Sequence, residues 1–191
     1  AIDEARVCAA FAPKTGRAHF TLTGGIFTMD QQQAPSDDAM EGRHVMRFGP
    51  AETRRFSHVN RIIDVPHLAG AVDGEGRELR MTVAVRAARG TATAQRFKLR
   101  LAAFAEDVPG VREQWFSGGG LSERALSFAS RAYDVTESGW VVMEVRTPLP
   151  PEARNVVISI AAGPVDEPLA DVAYEADAVT LALLTTPAKR P

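Results

Sequence analysis

Two carboxylates near the end of this 191-residue chain are its most chemically pointed feature. Counting back by twos from Leu183 through Leu181 and Val179 reaches Asp177 and then Glu175, so both acids share the side of the core residues unless a bulge intervenes. A buried carboxylate must be ion-paired, hydrogen-bonded or metal-bound. For Asp177 a hard cation such as calcium, which takes oxygen ligands, is one partner. An arginine, or loop N–H groups at the rim of a sheet, is the other.

The second feature is aromatic. Trp115 and Phe116 stand between Pro109-Gly110 and the triplet Gly118-Gly119-Gly120, with Arg112, Glu113, Gln114 and Ser117 as polar neighbours. Sugars present flat C–H faces, and a site for them wants exposed rings flanked by a few hydrogen-bonding groups. Loops commonly carry such sites. The same pair could instead fold down as a lid over the core. Tyr133 fits either a ligand site or packing. Trp140 reads as structural, because it begins a run in which Val141, Met143 and Val145 alternate as core.

Arg80, Arg86, Lys98 and Arg100 make one basic face if their two runs are hairpin neighbours. An anionic polysaccharide could use that face; a solvated surface salt-bridged to Glu144 explains it more cheaply. Catalytic patterns are poor. His19, His44, His58 and His67 lack metal-ligand spacing, and Ser57 and His58, adjacent on a strand, project to opposite faces. Cys8 is the only cysteine, so no disulfide forms within the chain. Asp73-Gly74-Glu75-Gly76 is a turn without the further ligands of a calcium loop, and the triple glycine lacks the Lys-Ser/Thr of a phosphate loop. Acids distant in sequence can meet in space, so a carboxylate pair for glycoside hydrolysis is left open, but nothing points to one.

What must position these residues is a series of short strands. Glu78 to Ala87 alternates cleanly, with Leu79, Met81, Val83 and Val85 opposed to Arg80, Thr82, Ala84 and Arg86, and Phe97 to Ala103 repeats the pattern. One face is core and one is wet, as in an antiparallel sheet. Arg89 to Thr93 reads as the hairpin between them. Further strands are expected at His19–Leu22, Gly25–Met29, His44–Phe48, Ser57–Val65, Trp140–Val145, Val156–Ile160 and Asp177–Leu183. Leu121, Ala125, Phe128 and Ala132 fit a helical spacing, so 121–134 reads as a turn or helical start followed by a strand. Gln31–Gly42 is expected to be a polar loop, and Phe104–Gly120 a long excursion. Val7 and Phe11 allow a helical turn or an extended arm over 1–18; 19–186 forms a single domain and 187–191 a frayed tail. The sum is an all-β antiparallel sandwich or barrel.

Composition agrees. The apolar fraction is 45%, enough for a sizeable core, and the net charge of −2 gives no reason to expect nucleic acid or an anionic membrane as the main partner. The absence of an apolar run of about 18 residues gives no expectation of membrane insertion by this chain. Charge is uneven: Arg77–Arg112 holds eight basic and three acidic residues, Asp134–Asp177 nine acidic and two basic, and the two stretches could pair across a sandwich.

Ser138-Gly139-Trp140 and its strand, Leu149-Pro150-Pro151-Glu152-Ala153-Arg154, Val156–Ile160 and the closing Tyr174-Glu175-Ala176-Asp177-Ala178-Val179-Thr180-Leu181 resemble the C-terminal half of galactose-binding-like jelly-roll domains. Gly42–Phe48 and Val59–Val65 are similar to the early strands of that family, so the resemblance covers about residues 20–185. It implies an all-β jelly-roll sandwich and includes many non-catalytic carbohydrate-binding modules; similar domains occur in glycosidases, in surface proteins and behind FecR-type segments of bacterial regulators. The family's structural calcium bears on Asp177. Two departures bear on it as well: Gly24-Gly25-Ile26-Phe27-Thr28 stands where a glutamate is usual, and Ala178 stands for a second aspartate.

The resulting expectation is a binding module, not an enzyme, recognising carbohydrate through Trp115, Phe116, Arg112, Gln114 and Tyr133. By resemblance it belongs to a larger bacterial protein, extracytoplasmic in the periplasm or at the cell surface. The alternative is a structural or protein-interaction jelly roll with a protein partner and no glycan site. The oligomeric state is not legible.

Overall fold

Strict apolar-polar alternation buries one face of each strand, and two such sheets satisfy each other by stacking inner face to inner face. In a computed structural model this arrangement is described for residues 32–35, 44–48, 57–65, 77–87, 94–111, 121–136, 139–165 and 174–185. Among these residues the strands are β1 (Gln32–Pro35), β2 (His44–Phe48), β3 (Ser57–Asp64), β4 (Arg77–Ala87), β5 (Gln95–Phe104), β6 (Ser127–Val135), β7 (Val141–Pro148), β8 (Asn155–Pro164) and β9 (Tyr174–Thr185), with a short helix, α1 (Leu121–Arg124), before β6. One sheet has five strands in the order β1-β2-β9-β4-β7, the other four in the order β3-β8-β5-β6.

Every pairing is antiparallel, and the pairs are nested: β2 with β9, β3 with β8, β4 with β7, β5 with β6. Bonds from β4 to β9 and from β5 to β8 close the two sheets. A long antiparallel ribbon rolled on itself in this way is a jelly roll, as the motifs of the C-terminal third imply.

The core lies between the sheets. Leu79, Met81, Val83 and Val85 of β4 and Met143 and Val145 of β7 face Phe97, Leu99 and Leu101 of β5 and Val156, Ile158 and Ile160 of β8. Burying each such side chain stabilises by about 1.5–3 kcal/mol relative to leaving it exposed. Tyr174 on β9 meets Phe97 edge-on, ring centroids 6.1 Å apart, and burial pushes its hydroxyl pKa up to about 12. A satellite cluster of Ala102, Phe104, Val111 and Val157 sits on the other side of the four-stranded sheet. There residues 108–111 form a helical turn whose Gly110 N–H donates to Asp107 Oδ1 at 3.0 Å, a side-chain cap on an otherwise orphaned amide.

Several expectations change. β4 and β5 lie in different sheets, so Arg89–Thr93 does not join hairpin partners. Alternation reports a wet face but not the neighbour across the ladder. The polar loop expected at Gln31–Gly42 contains β1, which among the described residues is an edge strand bonded on one side, where polar residues and a terminal proline are tolerated. The helical start before β6 is present as α1. The strands expected at His19–Leu22 and Gly25–Met29, the arm 1–18 and the tail 187–191 lie outside the described residues.

Candidate functional site

Asp177 does not share the core phase. Thr82 pairs with Thr180 but Ala84 with Asp177, so Ala178 and Val179 together oppose Val83. This is a β-bulge, with Ala178 at φ 47°, the left-handed region in which a bulged residue turns the strand. Beyond it Tyr174 and Ala176 point inward, and Glu175 and Asp177 are thrown to the outer face. Asp177 Oδ1 accepts the Ala178 N–H at 2.7 Å. Glu175 accepts from Arg86 Nε at 2.6 Å, and the Arg86 guanidinium lies 4.5 Å from the centre of the Trp140 ring. Among the described residues no three His, Cys, Asp or Glu side chains gather. Gly24–Thr28, where the family's glutamate is usual, lies outside the described residues.

Of the residues expected to hold a ligand, Arg112, Gln114, Trp115 and Phe116 lie outside the described residues. Tyr133 is half-buried at the flank of the sandwich. Its hydroxyl donates to the Glu144 carbonyl at 2.7 Å, tying β6 of one sheet to β7 of the other, while the Arg131 guanidinium lies 5.0 Å from its ring centre. The four cations expected on one basic face are divided: Arg80 and Arg86 are on the outside of the five-stranded sheet, Lys98 and Arg100 on the outside of the four-stranded one. Arg80 does approach Glu144, at 3.9 Å.

The outer face of the four-stranded sheet has a different character. Asn60 on β3 is opposite Ser159 on β8, Ser159 opposite Arg100 on β5, and Arg100 opposite Ser130 on the edge strand β6. These four residues form one row across the sheet. It is closed at one end and open at the other: Asn60 is 6% exposed and Ser159 0%, Arg100 is half-buried, and Ser130 is exposed.

Asn60 Oδ1 and Ser159 Oγ are buried without a hydrogen-bond partner. A buried polar atom left so costs about 1–3 kcal/mol. Arg100 is pushed below the usual arginine pKa by burial alone, with no acid among the described residues to offset it. In the adjacent row Phe128 lies opposite Ala102, so its ring neighbours Arg100 diagonally at about 7 Å between backbones. Phe128 is 36% exposed. An exposed ring near the exposed hydroxyl of Ser130 and the Arg100 guanidinium can take the C–H face of a sugar and bond its hydroxyls.

None of Asn60, Ser159, Ser130 or Phe128 is singled out by the sequence as a ligand group. A signal was nevertheless there. Read as a strand, Ser127–Val135 places Phe128 in phase with Ser130 and Asp134, an aromatic on a polar face. The helical spacing of Leu121, Ala125, Phe128 and Ala132 hides that. Ser159 is a hydroxyl inside the apolar run Val156–Ile160, visible as an anomaly but without an address until β3 and β5 flank it.

No protein-family model matches the sequence, and no curated protein matches it. Solved structures align with it over most of its length. A family 16 carbohydrate-binding module aligns at TM-score 0.44 and 10% identity over 80% of this chain and 84% of its own. A CBM22-1 xylan-binding domain from Paenibacillus barcinonensis aligns at 0.44 and 14% over 87% and 93%. A cyclase from Fischerella sp. TAU aligns at 0.46 and 14% over 88% and 82%. Among the described residues no helix is long and apolar enough to cross a membrane.

Proposed function

We propose that this chain is a non-catalytic carbohydrate-binding domain, a module of a larger exported or surface bacterial protein, whose ligand lies across the outer face of the four-stranded sheet. One observation carries the reading: the half-buried Arg100, with the exposed Ser130 and not an acid opposite it, lies diagonal to the exposed ring of Phe128. The placement of the module in a larger protein rests on the resemblance of its motifs. Trp115 and Phe116, with Arg112 and Gln114, remain in the proposal as a second contact from the 104–120 excursion.

A glycan array with wild type, Phe128→Ala and Trp115→Ala tests this. Loss of about tenfold or more in affinity for Phe128→Ala, equivalent to ~1.4 kcal/mol, is the expected result. Loss only with Trp115→Ala would move the site to the excursion. The second reading, a protein-interaction module, is favoured by Val142, which is 64% exposed on the edge strand β7 at the far side of the sandwich. Wild type that binds no glycan would favour that reading.

A further inference from the structure

We propose that the ligand of this face is an acidic sugar, a uronate whose carboxylate is taken by Arg100. This rests on the sugar-binding reading above and adds the chemical class. β5 presents Arg96, Lys98 and Arg100 in succession on the outer face, and they are not equivalent. Arg96 is opposite Asp134 on β6 and holds it with two parallel bonds, Nε to Oδ1 at 2.6 Å and a terminal nitrogen to Oδ2 at 2.7 Å. Arg100, four residues further along the same two strands, occupies the same ladder position and finds Ser130 where Arg96 finds its acid. β8 brings Ala161, Ser159 and Val157 to this side, all uncharged.

The fold therefore builds a fork-and-carboxylate pair once, at the exposed end, and builds the fork again deeper in the face with the carboxylate missing. A guanidinium is planar and always charged, and its fork matches a carboxylate bidentately. The partner that completes Arg100 is a carboxylate from outside. On the open side of the row the exposed Ser130 offers a hydroxyl to meet those of a sugar, and Phe128 flanks Arg100 with an exposed ring. A carboxylate beside vicinal hydroxyls on a ring with an apolar face describes a uronic acid residue.

The test is native affinity electrophoresis in polygalacturonate, alginate and glucuronoxylan, each against its carboxyl-reduced form, with dextran sulfate as a polyanion lacking carboxylates. Wild type should be retarded by at least one of the acidic polymers and about tenfold less by the reduced form. Arg100→Met should lose that difference, and Arg100→Lys, which keeps the charge without the fork, should retain only part of it. Ser130→Asp is the sharper variant. It places on β6 the acid that Arg96 already has in Asp134, so it should occupy Arg100 internally and abolish retardation while leaving the melting temperature unchanged or raised. Arg154→Met, an exposed cation elsewhere, should bind as wild type.

Equal binding of native and carboxyl-reduced polymers would overturn the acidic assignment while leaving the sugar-binding reading standing. Equal retardation by dextran sulfate, or an undiminished Ser130→Asp variant, would reduce the effect to general charge and overturn it too. Binding to no glycan, acidic or neutral, would sink both.

Discussion

The two outer faces of the sandwich carry similar residues and treat them oppositely. On the five-stranded sheet the cations have acids: Arg86 with Glu175 at 2.6 Å, Arg80 with Glu144 at 3.9 Å, and Arg146 with Glu144 at 2.6 Å and Glu78 at 3.4 Å. On the four-stranded sheet Arg96 has Asp134, but deeper in that face, among the described residues, Arg100 has no acid and Asn60 and Ser159 hold buried oxygens without partners. A face whose charges are internally paired is complete as folded. One whose half-buried cation has no acid among the described residues can take a partner from outside, and the proposed site rests on that contrast.

The largest effect that could break the comparison is at Glu175. Arg86 and Glu175 are 8% and 7% exposed, and removing one partner of a buried pair leaves an uncompensated charge, at about 3–5 kcal/mol. Glu175→Gln should lower the unfolding free energy by roughly that amount in urea denaturation, and Arg86→Met combined with Glu175→Leu should cost much less. A loss below about 1 kcal/mol for the single change would make this an ordinary surface bridge and erase the contrast.

Next in size is Ser159→Ala. The Ser159 hydroxyl is buried and unbonded, so its removal should leave stability unchanged or raise it by about 1 kcal/mol. A destabilisation larger than that would mean the oxygen already has a partner in the free protein.

Smallest is the exposed end of the face. The hydrogen bond from Arg96 holds the Asp134 carboxyl below its ordinary 3.8. A depressed folded-state pKa contributes stability above the unfolded value and loses it as pH falls through the folded one. The contribution of Arg96–Asp134 should therefore be present at pH 5 and above and fade below about pH 4. For a solvent-exposed pair it amounts to about 0–1 kcal/mol and should vanish in 1 M salt. Comparing wild type with Asp134→Asn from pH 3 to 6, at low and high salt, reads it directly.

The strands of the last third were legible because their side-chain period is two and their neighbours, Thr147-Pro148-Leu149-Pro150-Pro151 among them, cannot continue a ladder. Val141, Met143 and Val145 were correctly assigned inward. Asp177 was misplaced by one face, because a single extra residue at Ala178 reverses the phase of everything before it. Nothing local marks that bulge: alanine at φ 47° is an unusual occupant of a position that glycine would announce. The basic face failed for a different reason. Arg80 and Arg100 each lie on a wet face, but whether two wet faces are the same surface depends on which sheet each strand joins.

Local chemistry by itself determined that this chain is an all-β sandwich with one apolar and one polar side to each strand, since alternation and turn residues act over a few neighbours. Strand pairing decided the rest. Asn60, Ser159, Arg100 and Ser130 are separated by up to 99 positions in the chain and become one row only when β3, β8, β5 and β6 lie side by side. Whether a polar atom has a partner is likewise a property of the folded face, because the partner comes from another strand or does not come at all.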